Sequence, residues 1–151
     1  MSTLDAETLR AHVQRLVHFD TQQTATGLAL TVAAVFQLTG AGRLDFGGSE
    51  FEAAVRKAID PHKADPDDEY GWWHLEPGPY MIRYNEALAL TDGQRALITP
   101  LERLVQAGAS HPAFAVHGAR DPVETLLHVG APGCHLKANS RVSHLQVTAG
   151  A

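Results

Sequence analysis

The chain has 151 residues, 44% hydrophobic and 19% charged, with 17 acids against 12 bases for a net charge of −5. Such a length fits one domain, here residues 1–151, that hides roughly 70% of its unfolded surface, and such an apolar content excludes a disordered chain. The longest apolar-looking run, residues 27–38, is broken by Thr31 and Gln37 and falls short of the roughly 20 residues of a membrane-spanning helix; no Lys/Arg run offers basic surface to nucleic acid, and the acidic opening lacks the base-then-apolar pattern of a signal peptide, so a cytoplasmic protein is expected.

Residues 1–20 read as a helix. Ser2 and Thr3 are candidate caps, Asp5 and Glu7 stand in the first turn, and Leu9, Val13, Leu16 and Val17 form one apolar stripe. Residues 27–32 and 35–38 are apolar and β-branched and read as two strands, followed by a turn at Thr39-Gly40-Ala41-Gly42 and a short strand at Leu44-Asp45-Phe46. Ser49 is placed to cap a second helix with Phe51, Ala54, Val55 and Ala58 on one side, ending at Asp60-Pro61 because a residue before proline is pushed out of helical geometry. Residues 61–70 carry Asp65, Asp67, Asp68 and Glu69 and read as a solvated loop rather than a carboxylate metal site.

From Trp72 onward short β-like segments alternate with turns. Candidate strands cover residues 79–84, 87–90, 96–98, 111–117, 123–129, 134–137 and 141–147. A short helix fits residues 101–107, with Gly108 as its stop. Many short strands at this spacing predict a mainly β sandwich or barrel. The single cysteine, Cys134, excludes an internal disulfide and a multi-cysteine zinc site within one chain.

Three stretches carry a family pattern. Gly27-Leu28-Ala29-Leu30 precedes Val35-Phe36 and Leu44-Asp45-Phe46; Trp73-His74-Leu75-Glu76-Pro77-Gly78 leads into Arg83-Tyr84-Asn85-Glu86; and Leu136-Lys137-Ala138-Asn139-Ser140-Arg141-Val142-Ser143-His144-Leu145 closes the chain, with Asn139 where the pattern has glycine and His144 where it has glutamine. Together they resemble the dUTPase and dCTP deaminase superfamily, on its archaeal and bacterial dUTPase side, over roughly residues 21–147. The resemblance implies a distorted β-barrel or jelly roll with one or two short helices, a homotrimer with active sites between subunits, a deoxynucleoside triphosphate as ligand, and Mg2+ as cofactor.

The family's catalytic positions are substituted. Its first-motif aspartate, which helps hold the magnesium triphosphate, is Ala29 here. Its Pro-Arg-Ser-Ser-Leu-x-Arg-x-Gly motif reads Pro100-Leu101-Glu102-Arg103-Leu104-Val105-Gln106-Ala107-Gly108, keeping the frame and losing the phosphate-binding arginine and serines. An ungapped alignment places Val116 at the water-activating aspartate and Ala119 at the sugar-packing aromatic, with Gly118 retained; a valine takes no proton from water. Residues 147–151 do not match the glycine- and phenylalanine-bearing C-terminal arm of many dUTPases. The deaminase branch needs a glutamate base on the strand after the third motif, and Glu124 stands two residues away, a shift that keeps the same face.

The remaining candidates for chemistry are Glu124, Asp121 and His117 as catalytic groups and Arg103, Arg120, Gln106, Gly108 and Gly118 as substrate-binding positions, with Arg83 a further phosphate binder. Each arginine also reads as a surface salt-bridge residue. Nine histidines invite a metal reading. His111 and His117 share a strand face yet stand about 20 Å apart; His117, His128 and His144 lie on different strands and could converge on one ion, but scattered histidines are the plainer reading and no metal site is assigned. Trp72 and Trp73 read as one core anchor and one interface residue, or as a base-stacking pair. The expected function is that of a dUTPase/dCTP deaminase-like protein of deoxynucleotide metabolism. The resemblance implies dUTP hydrolysis to dUMP and pyrophosphate, divergent or lost because of the substitutions; the alternative is a non-catalytic trimer that binds a nucleotide or a partner and regulates.

Overall fold

A computed structural model describes residues 1–150. In chain order the strands are β1 (Ser2–Thr3), β2 (Val13–Gln14), β3 (Gln23–Thr24), β4 (Gly27–Gly40), β5 (Val55–Ile59), β6 (Trp72–Leu75), β7 (Gly78–Tyr84), β8 (Ala87–Ala89), β9 (Gln94–Pro100), β10 (Ala109–Ser110), β11 (Phe114–Val116), β12 (Ala119–Arg120), β13 (Glu124–Val129), β14 (Cys134–Lys137) and β15 (Arg141–Ala149). Three short α-helices interrupt them: α1 (Ala6–Leu9), α2 (Phe19–Gln22) and α3 (Glu102–Gln106). The fold is mainly β, a curled antiparallel sheet with short helices, as expected. No helix among the described residues is long and apolar enough to cross a membrane.

The main sheet runs β10-β13-β7-β4-β15-β9-β11, and β4 organises it. Its first half pairs with β3 and β15, its second half with β5 and β7. Leu28, Leu30, Val32 and Val35 of β4 are fully buried and meet Ile82, Ile98, Leu127 and Leu145 from four neighbouring strands. The first residue of β4 must be glycine, because a Cβ on Gly27 would collide with the Leu145 carbonyl oxygen across the ladder. β6 and β14 form a separate hairpin-like pair beside the sheet, with Cys134↔Leu75, His135↔His74, Leu136↔Trp73 and Lys137↔Trp72 in register.

One polar chain crosses the core. His111, Ser143 and Tyr84 are 4%, 0% and 2% exposed. The His111 ring gives its Nδ1–H to the Pro112 carbonyl (2.9 Å), so its Nε2 accepts from the Ser143 hydroxyl (2.7 Å), and Ser143 Oγ in turn accepts from the Tyr84 hydroxyl (2.6 Å). Burial lowers the His111 pKa and raises that of Tyr84, so both are neutral at physiological pH.

Five sequence expectations are corrected. The helix over residues 1–20 is only a turn of α1 capped by Asp5, whose side chain accepts from the Thr8 N–H, followed by a 3-10 turn at Arg10–His12. Ser2 and Thr3 instead pair with Ala149 and Thr148, Val13 pairs with Leu88, and Arg15 reverses the chain at φ 62°, so Val17 is left exposed. The two strands in residues 27–38 are one continuous β4. No strand forms at Leu44-Asp45-Phe46, which belongs to a loop held by an Arg43↔Glu52 bridge. The expected helix after Ser49 is β5, because the second half of β4 presents an edge of unpaired backbone groups that Val55–Ile59 satisfies, while Phe51 and Val55 find no apolar face to cover. His111 likewise precedes β11 rather than sharing a strand with His117. Trp73 is the core anchor, its indole N–H donating to the Ile59 carbonyl at 2.7 Å, whereas Trp72 is 39% exposed beneath the Lys137 ammonium.

The polar chain yields a stability prediction. Ser143→Ala leaves the His111 ring and the Tyr84 hydroxyl without their shared partner. Urea unfolding should then show a loss of about 1–3 kcal/mol, the usual cost of a stranded buried polar group.

Candidate functional site

The turn between β7 and β8 buries a carboxylate. Glu86 is 1% exposed, and its oxygens accept from the Thr31 N–H (2.8 Å), the Thr31 hydroxyl (2.6 Å) and the Gln22 side-chain amide (3.0 Å). Burial pushes its pKa above the ordinary carboxylate value, with these hydrogen bonds opposing. Gln22 also donates to the Ala29 carbonyl, while its oxygen accepts from the Val17 and His18 N–H groups, which fixes α2 against β4. Next door, Asn85 donates to Thr31 Oγ1 (2.9 Å) and to Asn139 Oδ1 (2.8 Å). Asn139 takes a left-handed conformation at φ 65°, which asparagine tolerates, and so fills the place that glycine holds in the family pattern. Backbone bonds Asn139 N–H to Val32 O and Val32 N–H to Ser140 O complete the seam.

This polar wall separates two cavities. On one side, a cleft of about 260 Å³ is lined by His18, Thr21, Arg103, Asn139, Ser140 and Arg141 among others. It adjoins a groove of about 310 Å³ that shares Arg103, Ser140 and Arg141 and adds Lys137, His135 and Trp72. No carboxylate lines either space. Arg141 spends one N–H on the Thr21 carbonyl (3.2 Å), and among the described residues neither Arg141 nor Arg103 has a carboxylate partner. In a chain with net charge −5 this is a local concentration of positive charge.

On the other side, a cavity of about 460 Å³ is lined by Arg15, Ala33, Arg83, Tyr84, Asn85, Asp121 and Pro122. The one acid that lines it, Asp121, is already engaged, and so is Glu124, which pairs with the lining residue Arg83. Asp121 receives both terminal nitrogens of Arg15 (2.6 and 3.2 Å), which holds its carboxyl below the usual range. Glu124 Oε2 receives Arg56 (2.9 Å) and Arg83 (3.0 Å), and both guanidiniums lie over the Phe36 ring.

The structure therefore brings only Arg103 of the sequence candidates into the cationic cleft. Gln106 faces Glu102 on the exposed side of α3. Gly108 ends α3 at φ 100° and accepts the Gly130 N–H, a structural role. Gly118 forms a turn whose carbonyl takes the Leu90 N–H. Arg120 lies exposed on β12 opposite Leu88, and His117 is exposed beside that turn. His18, Thr21, Ser140 and Arg141 escaped the sequence reading. The signal for Arg141 was present, since it lies two residues beyond the glycine position of the closing pattern.

The magnesium that the resemblance implies does not fit the matched positions. Ala29 is 2% and Val116 0% exposed; Val116 lies in the hydrophobic core and Ala29 on the face of β4 opposite Leu28 and Leu30, and neither side chain has an oxygen to offer a hard cation. The His117, His128 and His144 alternative fares no better: among the described residues no three His, Cys, Asp or Glu side chains are grouped to hold an ion.

Comparison with known proteins places this architecture. No family model matches the chain. The crystal structure of 2'-deoxycytidine 5'-triphosphate deaminase from Agrobacterium tumefaciens superposes with a TM-score of 0.69 at 14% identity, covering 98% of this chain and 48% of that one, so the two share a fold and this chain spans about half the deaminase's length. In sequence, the chain is 31% identical over 135 residues to the Probable deoxyuridine 5'-triphosphate nucleotidohydrolase of Methanosarcina mazei, covering 88% of this chain and 75% of that one. It is 30% identical over 154 aligned positions to the protein of the same name from Methanosarcina acetivorans, covering 96% and 86%. The chain belongs to the dUTPase/dCTP deaminase superfamily.

Glu86 has a measurable signature. Its raised folded pKa means the native state holds a proton that the unfolded chain releases, so its contribution to stability falls as pH rises from the unfolded value of about 4.5 through the folded one. His111 and His144, both lowered by burial, act with the opposite sign below their ordinary value of 6.5. Glu86→Gln should therefore make unfolding free energy rise more steeply with pH across pH 4.5–6.5 than in the native chain, as read by urea titrations at several pH values.

Proposed function

We propose that the chain is a deoxynucleotide-handling protein that seats the phosphates of a deoxynucleoside triphosphate between Arg103 and Arg141 and does not hydrolyse dUTP by its family's route. One observation carries the reading: two guanidiniums without acid partners line an acid-free cleft, while the positions of the family's two aspartates are buried hydrocarbon. Guanidinium forks suit phosphate oxygens, and the Ser140 hydroxyl adds a neutral donor, the Thr21 hydroxyl being spent on His18 Nδ1. Asp121 and Glu124 do not replace the lost base in this reading: Arg15 takes both oxygens of Asp121, and Arg56 and Arg83 both neutralise Glu124 through its Oε2. A homotrimer is the assembly that goes with this reading, and the exposed Leu44, Phe46 and Phe51 leave apolar surface that a neighbour could cover. The names of the relatives favour a second reading, dUTP hydrolysis to dUMP and pyrophosphate by a rearranged site.

Purified protein is incubated with magnesium and dUTP, dCTP, dTTP or UTP. Products are resolved by anion exchange, and binding is followed by calorimetry. The expected result is nucleotide binding without product, weakened at least tenfold by Arg103→Ala with Arg141→Ala; one charge-assisted hydrogen bond of about 1.5–3 kcal/mol per arginine gives that scale. Release of dUMP would support the second reading, and absence of binding by every nucleotide would overturn the first.

A further inference from the structure

The paired strands β6 and β14 carry a feature that the nucleotide cleft does not use. His74 and His135 are direct cross-strand partners on the exposed face. Their rings meet edge to face, with centroids 4.8 Å apart, and their Nδ1 atoms are 2.7 Å apart. Two exposed imidazoles that aim the same nitrogen at one point form either a single N–H···N hydrogen bond or a seat for an ion. A third ring, His62, stands 6.3 Å from His74, brought there by the His62↔Trp72 bridge. A hollow of about 420 Å³ opens beside the pair, lined by His74, His135 and Glu76 among others, with room for water ligands.

We propose that His74 and His135 bind a divalent late-transition-metal ion, of which Zn2+ is the representative, through their Nδ1 atoms, with water completing the coordination. Imidazole favours Zn2+, Ni2+ and Cu2+ over the hard Mg2+. The geometry is close to what the ion needs. Two Zn–N bonds of about 2.0–2.1 Å at a tetrahedral angle set the nitrogens about 3.3 Å apart, so the pair opens by about 0.6 Å, which side-chain torsions supply on an exposed face. The proton balance is simple. One ring now places its proton between the two nitrogens; on binding it carries that proton on Nε2 instead, both rings stay neutral, and the two Nδ1 lone pairs face the metal. Such an ion would clip β6 to β14, whose pairing is otherwise four residues long.

The test is titration of the full chain with Zn2+ against a chromophoric chelator. One ion per chain should bind, with affinity reduced at least about tenfold in His74→Gln and in His135→Gln. His128→Gln, an exposed histidine on β13, should bind as the native chain does. Circular dichroism without metal checks that each variant folds. As a second readout on the native chain, substoichiometric Cu2+ should broaden the imidazole resonances of His74 and His135 before those of other histidines. Zinc held no more tightly by the native chain than by the His74→Gln, His135→Gln double variant, or a loss as large in His128→Gln, would overturn the proposal.

Discussion

Burying an ionisable carboxylate is costly unless its oxygens are filled, and the way Glu86 meets that demand shapes everything around it. Its two oxygens draw donors from β4 through Thr31 and from α2 through Gln22. Gln22 is thereby committed to organising the loop before α2, and Thr31 passes the constraint through Asn85 to the β14–β15 turn. Three segments distant in sequence are thus tied at one point. Without that tie, the sides of the arginine cleft would have no reason to stand where they do.

The two faces of this polar wall differ in how charge is spent. Toward Asp121 and Glu124, guanidiniums and carboxylates neutralise one another, and Phe36 packs under two of the cations. Such pairs add order more than stability at a wet surface. Toward Arg103 and Arg141, the cations face hydroxyls, an asparagine and a histidine, with no acid among the lining residues. The same residue type therefore serves as internal cement on one side and as unspent binding capacity on the other. The family's aspartate positions are both buried, Val116 in the hydrophobic core and Ala29 on the opposite face of β4 from Leu28 and Leu30, so an unpaired acid at either would be costly.

From Trp72 onward the strands were legible because turn signals and alternation agreed, and β7, β9, β13, β14 and β15 all lie within two or three residues of their expected bounds. The first sixty residues misled because their apolar spacing fits a helix and a strand about equally well, and long-range pairing decided the matter: Val13 with Leu88, and Val55–Ile59 with the edge of β4. At the site, the family pattern pointed to Arg103 and led toward Glu124 and Asp121. What it could not convey was that both acids had acquired arginine partners from residues 15, 56 and 83, far away in the chain. Glu86 stood in the quoted Arg-Tyr-Asn-Glu stretch, but nothing local marks a glutamate as buried.

The adjacent tryptophans on β6 point to opposite sides of their strand. Trp73 is sealed in the core with its indole N–H bonded, whereas Trp72 meets solvent beneath an ammonium group and two residues from His74. The protein thereby contains two fluorophores of different polarity within one dipeptide. The inner one reports, by its blue-shifted emission, on the integrity of the core. The outer one emits at longer wavelength and is within reach of quenchers on the histidine-bearing face, so a single spectrum distinguishes an event at that surface from the opening of the fold.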